Sequence, residues 1–65
     1  MQDLGLELKI TRIRERKLQR EIAAAAGLSA SRLSEIENSW RVPRADELER
    51  IRRALGLPSH AEVES

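Results

Sequence analysis

An all-α domain of five short helices is the fold class this sequence predicts, and three observations predict it. Trp40 is the single aromatic residue, β-branched residues are few, and no period-two alternation appears, so strand signals are nearly absent. Apolar residues recur at helical spacing along most of the 65 residues. Gly27 and Gly56 stand where two of these helical patterns stop. A chain of this length buries only about 60% of its unfolded surface, so its core must be small and local. One domain over residues 1–65 is expected.

The first helix is expected over residues 4–16. Leu4 and Leu8 share one face, and Leu6, Ile10 and Ile13 share another. A helix apolar on two sides is sandwiched in the core or has a partner on its second side. The second helix is expected over 19–26. Alanines at 23 to 26 favour helix, and Gly27 suits the left-handed position past its end. Ser29 then caps a third helix that ends near Asn38, where asparagine also serves as a terminator. Pro43 fixes the chain before the fourth helix, expected over 45–55, whose core stripe is Leu48, Ile51 and Leu55. Asp46 and Glu47 lie in its first turn, where negative charge suits the helix dipole. Ser59 and Glu62 have the spacing of a capping box, which predicts a short fifth helix reaching Val63, with His60 a surface residue at its start.

Composition removes several function classes. No cysteine is present, and His60 is the only histidine, so disulfides, thiolate metal sites and histidine clusters are not expected. No nucleophile stands beside a base, and no glycine-rich phosphate loop occurs, which argues against an enzyme and against a cofactor. No apolar run approaches the ~20 residues that span a bilayer. The opening Met1-Gln2-Asp3 is not the basic start of a signal peptide, so the expected location is the cytoplasm. Net charge is only +1, but arginine and lysine cluster at 9–20, at Arg41 and Arg44, and at 50–53. Such runs are solvated helix faces or phosphate contacts, and charge alone does not choose.

The stretch AGLSASRLSEIENSW, residues 26–40, carries the functional signal. A short helix, a turn through Gly27 and a second short helix make a helix-turn-helix, here about residues 19–38. Ala23 is small where the two helices cross, and Ile22, Leu28, Leu33 and Ile36 point inward to fix the crossing. The other face of the third helix carries Ser31, Arg32, Ser34 and Glu35. A helix with short polar side chains fits the major groove of DNA and reaches base edges. Trp40 reads as a cover for the end of the core. The DNA backbone or a second subunit are the other places for it.

The residues Gln19, Ile22-Ala23, Gly27-Leu28-Ser29, Leu33-Ser34, Ile36-Glu37-Asn38, Pro43 and Ala54-Leu55-Gly56 together resemble the lambdoid repressor and Cro type of helix-turn-helix, the xenobiotic-response-element-like family. The likeness runs without a gap over about residues 4–63. It implies a five-helix, lambda-repressor-like domain that binds duplex DNA as a transcriptional regulator, a repressor, in a bacterial or phage-encoded, nucleoid-associated protein. It implies that Gln19 contacts a phosphate or buttresses the third helix. Ala30, Ser31, Arg32, Ser34 and Glu35 would form the exposed recognition face. Asn38, Arg41 and Arg44 would meet the backbone, and Arg12 would pair with Glu37.

Arg32 is the long cation of that face, matched to the O6 and N7 acceptors of guanine. Its bland alternative is a surface pair with Glu35 three residues on. The sequence departs from the family pattern in three ways. Leu18 replaces a capping serine or threonine, which predicts a less sharp start to the second helix. Ser39 replaces glycine, which predicts a different loop. Ala30 and Glu35 replace glutamine or basic residues, which bears on affinity and base preference. A homodimer is expected, through residues 57–63 or the Leu6, Ile10, Ile13 stripe, because one small helix reads too few bases alone. The competing function is a protein-interaction module on the same fold, antitoxin-like or an adaptor.

Overall fold

Residues 3–57 are described by a computed structural model, in which they form α1 (Leu4–Arg14), α2 (Gln19–Ala25), α3 (Ala30–Glu37) and α4 (Ala45–Ala54). Four helices are thus found among the described residues, not five. The expected helix over 59–63, His60 and most of the proposed 57–63 dimer surface lie outside them.

Each helix starts on an identifiable cap. Asp3 Oδ1 accepts the Leu6 N–H at 3.1 Å, and Ser29 Oγ accepts that of Arg32 at 3.0 Å. At α2 the leucine offers no capping oxygen. Glu21 reaches back instead, its Oε1 accepting the Leu18 N–H at 2.7 Å, so the helix still starts at Gln19. Glu47 serves α4 in the same way, accepting the Arg44 N–H at 2.8 Å.

All four helices end on a left-handed residue, and only two of those residues are glycine. Gly27 and Gly56 have φ of 70° and 78°; Arg16 and Ser39 have 56° and 62°. The first helix therefore stops two residues short of the expected Arg16. Lys17 N–H bonds back to the Arg12 carbonyl at 3.1 Å, and the Arg12 guanidinium holds the Lys17 carbonyl at 2.9 Å. Ser39 stands at the left-handed position after α3. It takes the glycine conformation, at a cost of about 1–3 kcal/mol, and its hydroxyl bonds the Asp3 carboxylate across the chain.

The core is Leu8, Ile22, Ala23, Ala26, Leu33, Ile36, Ile51 and Leu55, with Leu33 and Ile51 fully sealed from water. Each of those two side chains contributes about 1.5–3 kcal/mol by burial. Ala23 is buried at the α2–α3 crossing, as its size predicts. A second close approach sits at Gly5, where an added Cβ would lie 2.2 Å from the Ile36 carbonyl oxygen. The backbone of α1 thus rests directly on the C-terminal turn of α3. The second face of α1 is not covered among the described residues: Leu6, Ile10 and Ile13 are exposed.

Candidate nucleic-acid interface

The turn at Gly27 sets α3 across α2, and the two faces of α3 then have different fates. Its inner face carries Leu33 and Ile36 into the core, together with a buried carboxylate, Glu37. Arg12 donates to Glu37 through Nε at 2.8 Å and Nη2 at 3.1 Å, the two-pronged geometry that makes guanidinium–carboxylate pairs strong. Gln19 Nε2 adds a third bond at 3.1 Å. Of its two implied roles, Gln19 is found in the second, bracing α3. No buried side-chain nitrogen or oxygen among the described residues lacks a partner.

Arg32 is placed differently from the sequence expectation. Its guanidinium does not project into open space, nor does it bond Glu35. It grips Glu47 of α4, Nε to Oε2 at 3.0 Å and Nη2 to Oε1 at 2.8 Å. The Arg32 hydrogen bonds, followed by the Arg44 N–H, hold the Glu47 carboxyl down to about 2, and Glu47 raises Arg32 in return. The reason is geometric. Position 32 lies on the flank of α3 that faces the first turn of α4, where Glu47 is already fixed as that helix's cap. In this arrangement the guanidinium fork faces both oxygens of a carboxylate.

The outer face keeps the remaining candidates together. Gln19, Ala30, Ser31, Ser34, Glu35 and Trp40 line one open groove along α3. Ala30 and Ser31 are exposed at its start, and Ser34 and Glu35 are partly covered. Arg41 Nε bonds Glu35 Oε2 at 2.9 Å, which offsets the one acidic charge on this face. Asn38 makes only a long contact to Ser34, 3.4 Å, and is otherwise open. It closes the helix without taking the left-handed position, which falls to Ser39. Arg44 is exposed beyond the rim, 3.5 Å from Asp46.

Of the three places the sequence leaves open for Trp40, the core cover is not the one it takes. It covers no part of the core and is 76% exposed. The residue's polar surroundings, Asn38-Ser39 before it and Arg41 after it, were the available signal. Glu47 was the other residue missed in its actual role, being read only for its place near the α4 dipole.

A family described as a helix-turn-helix domain matches residues 3–65 of this sequence. The chain belongs to the helix-turn-helix domain family. The match spans all four helices described above. A helix-turn-helix domain points to DNA as partner and to transcription regulation as role. No curated protein matches the chain. No helix among the described residues is long and apolar enough to cross a membrane.

Proposed function

We propose that this helix-turn-helix domain binds double-stranded DNA with α3 in the major groove and acts as a transcriptional regulator, as a repressor that occludes its site. The observation that carries this reading is the outer face of α3. It offers small groups, Ala30, Ser31 and Ser34, along a groove that an approaching base edge can enter, with Asn38, Arg41 and Arg44 exposed in the chain that follows α3. Gln19 and Arg32 hold α3 at its angle from opposite flanks. The chain acts as a binding module rather than an enzyme, in the cytoplasm where the nucleoid is, and as a homodimer on two half-sites about one helical turn apart.

Fluorescence anisotropy of labelled mixed-sequence duplexes tests this reading. Affinity should fall linearly with salt on log–log axes, with a slope of about −0.9 for each phosphate contacted. Absence of binding at low salt would overturn it. Sedimentation of the chain on its best duplex tests the dimer, and a single copy at saturation would exclude it. One observation favours a second reading, a protein-interaction module: the exposed Leu6, Ile10 and Ile13 stripe of α1. That reading expects an apolar partner helix and no salt-dependent DNA affinity.

A further inference from the structure

We infer that Trp40 is a base-reading residue, forming with Ala30 an apolar seat for the 5-methyl groups of thymine. This rests on the DNA-binding reading above and goes beyond it, since it names the base chemistry and a residue outside the recognition helix. The long polar side chains that line the groove, and Arg32 on its flank, each have a partner within the chain. Gln19 bonds Glu37, Arg32 bonds Glu47, and Glu35 bonds Arg41. What the groove still offers is a methyl group, two serine hydroxyls and an indole. Of the groups that base pairs present in the major groove, only the thymine 5-methyl is apolar, so an apolar seat there selects thymine.

The backbone that carries the indole is also held in place. Trp40 N–H bonds the Glu35 carbonyl at 2.9 Å and Arg41 N–H reaches the same oxygen at 3.3 Å. The residue before it is fixed in its left-handed conformation with its hydroxyl on Asp3. Trp40 therefore stands on a fixed stretch of backbone, with its indole lining the α3 groove beside Ala30. A second copy of the chain is the other occupant to weigh. DNA is favoured because the indole is continuous with the α3 face and Arg41, beside it, supplies a cation at the rim.

The test compares a duplex of alternating A·T pairs with its twin carrying deoxyuridine for every thymidine, which removes only the methyl groups. Wild-type protein should bind the thymidine duplex tighter by about fourfold for each methyl seated, the effect of burying one such group. Trp40→Ala should bind both duplexes alike, near the wild-type affinity for the deoxyuridine twin. The only tryptophan of the chain is Trp40, so its own fluorescence should shift to the blue and lose acrylamide quenching on the thymidine duplex. Equal wild-type binding to the twins would overturn the inference and leave the DNA reading standing. So would an indole that stays quenchable while anisotropy reports binding. Shielding of Trp40 that grows with protein concentration in the absence of DNA would assign it to self-association instead. Failure to bind either duplex would remove the DNA reading and this inference together.

Discussion

The inner and outer sides of α3 use similar residues to opposite ends. Glu37 and Glu35 are two positions apart on one helix, and each is paired with an arginine at 2.8–2.9 Å. Glu37 is 2% exposed and has three donors, from α1 and α2. Glu35 is about a third exposed and has one donor, from the adjoining loop. Burying a carboxylate is costly unless it is fully bonded, so Glu37 forces three elements into register around it. An exposed pair such as Glu35–Arg41 contributes only ~0–1 kcal/mol and can open for a ligand. Sequence spacing on one helix separates structure from function here by less than one turn.

The strongest way to break the inner side is Gly5→Ala. An added Cβ would meet backbone, the Ile36 carbonyl, at 2.2 Å, so α1 must lift from α3 and Glu37 must lose Arg12. A loss of about 3 kcal/mol or more is expected from overpacking of this kind, measured by urea unfolding. Wild-type stability in this variant would show that α1 does not rest on α3 as described. Glu37→Ala comes next. Removing one partner of a buried pair costs about 3 kcal/mol here, the low end of the usual range because the Arg12 edge meets water.

A smaller loss of stability is expected for Arg32→Ala, which frees Glu47. The same pair gives a pH signature. The Glu47 carboxyl is depressed to about 2 from an ordinary 4.5, and Asp3 is lowered chiefly by the Ser39 hydroxyl, then by the Leu6 N–H. Groups depressed on folding contribute stability that is fully present above their ordinary value. It is lost as pH falls through the folded value. Unfolding free energy should therefore hold steady down to about pH 5 and decline toward pH 2, and Glu47→Gln should flatten that decline. If Arg32→Ala left both stability and its acid dependence untouched while relaxing preference at one base pair, Arg32 would be a reader after all.

The smallest structural effect belongs to the outer side. Glu35→Gln should change stability by under about 0.5 kcal/mol, because its pair is open to water. It should raise affinity for all duplexes several-fold by removing a negative charge and releasing Arg41, steepening the salt slope by about one contact. A stability loss comparable with that of Glu37→Ala would erase the distinction between the two sides.

Much of the frame was legible beforehand. The Gly27 turn, the Ser29 cap and the Leu48, Ile51, Leu55 stripe were read from local pattern, and each is found in place, with Leu48 only half-buried. The Arg12–Glu37 pair came from the family likeness rather than from spacing. Misreadings fell where a residue's nature conflicted with its site. Ser39 carries no glycine signal and yet adopts a left-handed conformation. Trp40 was expected inside because tryptophan is large and apolar, yet the chain turns it outward. Gly5 gave no periodic signal at all, since its role is an absence of side chain against a carbonyl 31 positions away by sequence.

By itself, then, the sequence determined that this chain is helical, where the four described helices start and stop to within two residues, and most of the apolar side chains that make the core. Those properties depend on neighbours within about one or two helical turns, through capping, propensity and the 3.6-residue period. Only the tertiary structure decided which charges are spent and which are free. Arg12 finds Glu37 across 25 positions, and Arg32 finds Glu47 across 15. Pairing at that range depends on how helices cross, and the crossing is set by the shapes of Gly5, Ala23 and the core. No local pattern carries that information, which is why Arg32 reads from the sequence as an unpaired recognition side chain and is found paired with Glu47.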